Sequence, residues 1–303
     1  VSARLLALAL ALQAPVAPAA HQGTLVLCGE RFELPEALAH ELAGDAPHLV
    51  LELDETGLDP LARSASRALR PDLAGDWSAG REAALLPELE RSQAVVVTAR
   101  TWIACWRHFK PEQKDSRLEV ELRAAWRAGR PVVATGAAAA YCAGWSLVAR
   151  EELQRTQRNP RQEDPNLAVS GLDLAPGWMV DTSTQEAPGA LRLLRASQRT
   201  GNARALYLRG PVAWIVRGAA QAEVAGSGSV AVFDLAHARR SRADLEDGRL
   251  LLLGDGDRLR LGKELELVPA RPAGEPPAWK QFGLPFEPRR AGSEYRFDWI
   301  AQR

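Results

Sequence analysis

Pro131-Val132-Val133-Ala134 is a short apolar run that leads without a linker into Thr135-Gly136-Ala137-Ala138-Ala139-Ala140. The first four residues read as a buried strand, and the alanines as the opening of a helix. A strand that passes straight into a helix is one half of a crossover, so the chain is constrained toward a parallel sheet with helices on its faces. The turn between them is tight and needs small residues. The helix start aims backbone N–H groups at whatever occupies that turn. This is the build of a nucleophile elbow, whose tip carries a reactive Ser or Cys. The tip expected here is Ala137, and the reactive atom is missing.

The rest of the first half supports the same class. Thr24–Cys28, Leu49–Leu53 and Ala94–Val97 are continuous apolar runs, as strands buried on both faces are. Helical patterns follow them at Glu36–Leu42 and Ser116–Ala128, where Leu118, Leu122 and Trp126 recur every four residues. After residue 150 the pattern changes. A polar excursion over 151–166 gives way to short strands at 178–181, 203–208, 213–217, 222–225 and 229–233, with one helix over 190–198. Gly218, Gly226 and Gly228 punctuate them as turns. Gly254-Asp255-Gly256-Asp257 reads as a hairpin turn; it lacks the spacing and terminal Glu of a calcium loop. Beyond Pro269 the chain reads as an extended, weakly packed tail with Trp279, Phe282, Phe286, Tyr295 and Trp299 as anchors.

The chain has 303 residues, enough for one large core with an appendage. Lys+Arg and Asp+Glu both number 38. A zero net charge excludes nucleic-acid binding driven by bulk electrostatics. Lys occurs only at 110, 114, 263 and 280, and the arginines are scattered rather than clustered. The three cysteines, Cys28, Cys105 and Cys142, match no zinc or redox spacing, and an odd count excludes a complete disulfide framework. The histidines, His21, His40, His48, His108 and His237, form no H-x-x-x-H pair. Nothing in the sequence points to a metal or a cofactor.

The N-terminus carries Arg4, the apolar run Leu5–Leu12, then Pro15 and Pro18 and small residues to Ala20. A short apolar stretch ending in Ala17-Pro18-Ala19 has the form of an export signal cleaved near residue 19 or 20. It is too short to span a bilayer, and no other segment reads as transmembrane. The expected organisation is therefore a signal peptide over 1–20, an α/β domain over 21–268 and a partly irregular tail over 269–303. The expected location is periplasmic or extracellular.

Several stretches resemble one family. Gly23-Thr24-Leu25-Val26-Leu27-Cys28-Gly29 followed by Leu34-Pro35 is similar to the opening strand and turn of cyanophycinase and the dipeptidase E-type serine peptidases. Val132–Ala140 is similar to their strand and Gly-Thr-Ser-Ala-Gly-Ala elbow. Gly171-Leu172 through Pro176–Asp181 resembles their segment ending in Val-Asp-Gln-His. Val216-Arg217-Gly218 with Glu223–Val230 resembles the hairpin that follows. The resemblance covers about residues 23–265. It implies the class I glutamine amidotransferase-like (flavodoxin-like) fold: a three-layer parallel-sheet sandwich, here with a strand-rich C-terminal extension.

Carried over by position, the family's serine nucleophile falls on Ala137, its histidine base on Ser183 and its orienting acid on Gly210. Its Gly-Gly-x-Gln loop falls near Thr98-Ala99-Arg100-Thr101, and the Asp of Val-Asp-Gln-His is kept as Asp181. Losing the nucleophile alone removes on the order of 10⁶ in turnover from such enzymes. The resemblance thus implies an exported protein without the triad, whose cleft takes a peptide or a partner protein through Arg100, Asp181 and Arg209. Two other readings stay open at this level. One is an active hydrolase with a relocated nucleophile, Cys142 or Thr135. The other is an envelope interaction module using the aromatic tail. Side chains such as Trp102, Trp178 and Trp214 are large enough to fill the cleft.

Overall fold

The computed structural model describes residues 23–300 except 30–31, 55–58, 63, 65, 74–77, 112–113, 150–165, 183–188, 219, 242–243, 271–278, 283, 285 and 292–293. The signal-peptide reading, His21, Ser183 and most of the polar excursion lie outside the described residues. Among the described residues, no helix is long and apolar enough to cross a membrane.

The strands are β1 (Leu25–Cys28), β2 (His48–Glu52), β3 (Ala68–Leu69), β4 (Ala94–Ala99), β5 (Val132–Gly136), β6 (Ala143–Ala149), β7 (Asn166–Ser170), β8 (Ala175–Asp181) and β9 (Arg204–Arg209). They continue as β10 (Val212–Arg217), β11 (Gln221–Gly226), β12 (Ser229–Asp234), β13 (Arg239–Arg240), β14 (Asp244–Leu253), β15 (Arg258–Leu261), β16 (Leu265–Val268), β17 (Arg289–Ala291) and β18 (Glu294–Ile300). The helices are α1 (Glu36–Ala43), α2 (Ala79–Arg91), α3 (Trp102–Phe109), α4 (Arg117–Arg127), α5 (Ala137–Cys142) and α6 (Gly189–Thr200).

The expected α/β class is observed, but the strands form two mixed sheets instead of one parallel sheet. The first runs β16-β15-β11-β10-β1-β5-β4-β2-β3, and the second β17-β18-β14-β12-β9-β8-β6-β7. Parallel pairing is confined to β1-β5-β4-β2-β3 in the first sheet and β6-β8-β9 in the second. The chain changes sheets at α5, at Gly210-Pro211, at Ser227-Gly228, between β16 and β17, and at Gly254–Asp257. The last is a correction: β14 and β15 belong to different sheets, so Gly254–Asp257 is no hairpin. Its carboxylates still hold it as a turn, with Asp257 Oδ2 accepting from Gly254 N (2.9 Å) and Asp255 Oδ1 from Gly226 N (2.9 Å). Gly218, by contrast, does join a hairpin, β10 to β11, with φ of 60°.

The two sheets face each other across the largest core, which takes Leu27, Val97 and Trp214 from the first and Val180, Leu208 and Val232 from the second. Helices α2, α3 and α4 share this core. Helix α1 covers the far side of the first sheet over Val26, Val50, Val96 and Val133. Helix α6 covers the far side of the second over Met179, Ala205 and Phe233. Period-two alternation assigns each residue to a face. In β14, Leu251 and Leu253 enter the central core while Leu250 and Leu252 enter the outer one, which is why the run is apolar throughout.

Two expectations fail locally. The alanine-rich helix after the elbow ends after six residues and becomes β6. It is stopped by tertiary contacts that outweigh alanine's helix preference. The N–H groups of Leu172, Leu174 and Asp173 bind the carbonyls of Tyr141 (2.7 Å), Cys142 (3.0 Å) and Ala143 (2.9 Å). The preceding Gly171 sits so close that a Cβ would collide with the Tyr141 and Ala143 carbonyl oxygens. The tail is also more than weakly packed. Strand β18 pairs with β14, and Phe297, Trp299 and Phe282 are buried in the outer core. Helix α3, unforeseen in the sequence, starts at Thr101, whose hydroxyl accepts from Ala104 N at 3.3 Å.

Candidate functional site

The parallel strands of both sheets end on one edge, where open α/β sheets place their ligands. The elbow sits on that edge between the sheets. Its sharp reversal is at Gly136, with φ 64° and ψ −137°, one residue before Ala137. Ala137 is the first helical residue and is half-buried against the core. Only glycine adopts the Gly136 conformation at ease. Gly136 also pairs in register with Ala99 at the end of β4, and a Cβ on it would run into the Ala99 carbonyl oxygen. The position where a side chain would project is therefore filled by backbone.

The surrounding groups close the edge further. Thr182, just past β8, donates its hydroxyl to the Gly136 carbonyl at 2.9 Å, tying the second sheet to the elbow. Gly29 follows β1 and approaches Gly210 so closely that a Cβ would strike the Gly210 carbonyl. Gly210 itself has φ 77°. At the end of β4, Asp54 accepts from the backbone N–H of Arg100 (2.6 Å) and Thr101 (3.0 Å) and from the Thr101 hydroxyl (3.1 Å). Paired backbone donors at a helix start bind anions; here the chain's own carboxylate holds them.

The three candidate binding residues are spread over this edge. Arg100 is exposed at the end of β4 in the first sheet. Asp181 is buried and ion-paired to Arg192 of α6 at 2.8 Å. It shares strand parity with Met179, so it faces the outer core rather than the space between the sheets. Arg209, of the same parity as Tyr207, also points to that outer side and is exposed. Asp54, Thr182 and Arg192 were not singled out in the sequence. The signal for Asp54 was its place directly after an apolar strand, and for Gly136 its being the one glycine in the turn.

Neither alternative nucleophile is presented to the elbow. Cys142 is fully buried in the central core, and burial pushes its thiol far above the ordinary cysteine range. Cys28 is shifted the same way for the same reason, and no disulfide joins any two of the three cysteines. Thr135 is buried and lies in register with Cys28, whose side chain faces α1, so its hydroxyl points away from the inter-sheet space. His48 lies at the opposite, N-terminal end of the parallel strands, bonded to Ser66 (2.7 Å) and Asp59 (3.2 Å). His108 bonds the Ala104 carbonyl of its own helix through Nδ1 at 2.8 Å. His40, His237 and Ser227 are exposed. Trp102, Trp178 and Trp214 are all buried in the central core, the last two with ring centres 5.9 Å apart. Among the described residues, no three His, Cys, Asp or Glu side chains gather as metal ligands would.

A second set of buried polar groups lies where α3, α4 and α5 meet. Glu119 is fully buried and pairs with Lys110 (2.8 Å) and with Arg123. Asp115 joins them through Lys110 (2.5 Å) and Arg123 (3.2 Å), and Arg123 Nε donates to the Leu172 carbonyl at 2.7 Å. Burial raises the Glu119 carboxyl above its usual range despite the two cations, whereas the Lys110 hydrogen bond lowers Asp115. Tyr141, stacked on Phe109 at 5.7 Å, is pushed far up by burial and then by the charge of Glu119. Its hydroxyl and the second Glu119 oxygen have no hydrogen-bond partner among the described residues.

This architecture, two mixed sheets with a strand–elbow–helix between them, is a peptidase-like α/β fold. The chain is similar to the crystal structure of a peptidase from an acI-B1 Actinobacterium, 13% identical, over 80% of this chain and 99% of that one, with a TM-score of 0.54. A putative peptidase E protein from Listeria monocytogenes EGD-e is also 13% identical, over 67% of this chain and 96% of that one, with a TM-score of 0.45. No protein-family model and no curated protein matches the chain.

Proposed function

We propose that this protein is an exported, non-catalytic relative of the cyanophycinase and dipeptidase E-type peptidases that works by binding. The observation that carries the reading is Gly136. A serine hydrolase needs an oxygen or sulfur at the elbow, a base to deprotonate it and a group to orient that base. At Gly136 the reversal is kept, but the Ala99 carbonyl stands where the first atom of a side chain would go. On this reading the family's nucleophile position is Gly136, with Ala137 the residue after it.

Two neighbours support the same reading. Backbone donors that could stabilise a developing oxyanion are held by Asp54. The carboxylate of Asp181 is taken up by Arg192. The ligand is a peptide or a partner protein meeting the strand-end edge, where Arg100 and Arg209 are exposed. Export rests on the apolar run Leu5–Leu12 with its small-residue end.

The test is activity-based labelling of the purified protein with a fluorophosphonate, followed by intact mass measurement. The expected result is an unmodified chain. A covalent adduct on any residue of the strand-end edge would overturn the proposal.

A further inference from the structure

Glu119 enters the junction of α3, α4 and α5 from the first turn of α4. Ser116 caps that helix through its hydroxyl, which accepts from Glu119 N at 3.0 Å, and Leu118, Glu119 and Leu122 are all buried. The two oxygens of the carboxylate are used unequally. Lys110 Nζ (2.8 Å) and the Arg123 guanidinium both bind Oε1. Oε2 is buried and has no hydrogen-bond partner among the described residues. Two cations on one oxygen fix the carboxylate in place and leave the lone pairs of the other unused.

The Tyr141 hydroxyl is the second such atom. Its ring is clamped by two aromatic neighbours on α3, stacked on Phe109 with centres 5.7 Å apart and edge-on to Trp102 at 6.1 Å. Phe109 directly precedes Lys110, one of the two cations on Glu119. The Tyr141 carbonyl accepts from Leu172 N (2.7 Å), and the Leu172 carbonyl accepts from Arg123 Nε (2.7 Å), the other cation. Ring and carboxylate are thus anchored to the same end of α3 and the same arginine. They also interact electrostatically, since the charge of Glu119 adds to burial in holding the proton on Tyr141. Tyr141 Oη is therefore a donor and Glu119 Oε2 an acceptor, in one buried junction but not bonded to each other.

Neither group can turn to meet the other. Tyr141 Oη moves only with its clamped ring, and Oε2 only at the expense of the two bonds to Oε1. A donor and an acceptor left unmet in a core cost more than the immobilisation of a water molecule does. An internal water is held by about two to four polar partners. We propose that the junction of α3, α4 and α5 is a binding site for an ordered water that accepts from the Tyr141 hydroxyl and donates to Glu119 Oε2. That water joins α5 to the ion network of α4, so that Asp115, Lys110, Arg123, Glu119 and Tyr141 form one continuous hydrogen-bonded chain. The inference goes beyond the binding reading and holds whether or not the strand-end edge takes a partner.

The experiment is a crystal structure of the full 303-residue chain and of its Tyr141→Phe variant, at a resolution that places ordered water, with urea unfolding of both. In the parent, a solvent peak is expected within hydrogen-bond distance of both Tyr141 Oη and Glu119 Oε2. The variant keeps the stacked ring and removes one side of the bridge, so its folding equilibrium constant should fall by about tenfold. Were the hydroxyl simply orphaned, removing it would relieve a buried unpaired group and the constant would rise. No bridging peak in the parent, a direct hydrogen bond between Tyr141 and Glu119, or a variant with an unchanged or larger folding constant would each overturn the proposal. The parent structure decides by itself if the variant does not fold.

Discussion

The elbow and the Glu119 cluster are both polar sites set into the same central core, yet they are held in opposite ways. At the elbow the backbone does the holding. Gly136 takes a conformation suited to glycine, its space is filled by the Ala99 carbonyl, and Asp54 spends its carboxylate on two N–H groups and a hydroxyl. In the cluster, charge does the holding. Glu119 binds two cations, yet one of its oxygens and the Tyr141 hydroxyl are left without partners among the described residues. A turn held by backbone contacts is a scaffold. A buried network with open valences is where a single change releases the most unpaired charge.

The sharpest way to break this comparison is to put a side chain back at the elbow. Gly136→Ser imposes a strained conformation and a collision with the Ala99 carbonyl, and should lower folding stability by about 4 kcal/mol. Ala137→Ser, one residue on and already helical, should change it by only about 0.5 kcal/mol. Denaturant midpoints of the two variants check this directly. A Gly136→Ser protein as stable as the parent would mean that the elbow is open after all. Neither variant should hydrolyse peptides, because a serine without a base gains nothing.

Next in size is the removal of the charge that holds the cluster. Glu119→Ala leaves Lys110 and Arg123 facing each other with Asp115 alone, and should destabilise by about 3 kcal/mol, as loss of one partner in a buried pair does. Glu119→Gln keeps the shape and part of the hydrogen bonding, and should lose less. Asp54→Ala comes third, at about 2 kcal/mol, because the hydrogen bonds it accepts are charge-assisted but only half-buried. Its signature is local: faster hydrogen exchange of the Arg100 and Thr101 amides, with other amides unchanged.

The same contrast explains what the sequence disclosed. Continuous apolar runs located β1, β2, β4 and β5, since a strand buried on both faces has no other composition. The turn glycines were visible too, but whether a turn folds a strand back or sends it to another sheet is decided by tertiary pairing. Gly218 and Gly254–Asp257 look alike in sequence and do these two different things. The end of α5 was hidden for the same reason, because the N–H groups that stop it come from residues 172–174. The tail could have been read better: Tyr295, Phe297 and Trp299 alternate with Arg296 and Asp298, the period of a half-buried strand. At the site, the lack of a Ser or Cys in the turn from Gly136 to Ala140 was legible from residue identity alone. The apex at Gly136 was legible from glycine's backbone preference. That Asp54 and Arg192 would take up the surrounding polar groups was not, because neither is near the elbow in sequence.

The smallest effect expected is a pH slope, and it separates the two acids of the cluster. Burial raises Glu119 above its unfolded value, so the folded chain holds this proton more tightly than the unfolded one. Its contribution to stability is present below the unfolded carboxylate range, and is lost as pH rises through the folded value. Asp115 is lowered, first by the Lys110 hydrogen bond. Its contribution is present above its unfolded range and is lost as pH falls through the folded value. The cluster thus contains two opposed titrations, and Glu119→Gln removes only one. Urea unfolding of parent and variant from pH 4 to pH 7 should show the stability gap between them narrowing as pH rises, because only the parent must ionise a buried carboxyl. A gap that widens with pH would mean that Lys110 and Arg123 outweigh burial and that Glu119 belongs with Asp115. The cluster would then be as fully compensated as the elbow, and the distinction between the two sites would fail.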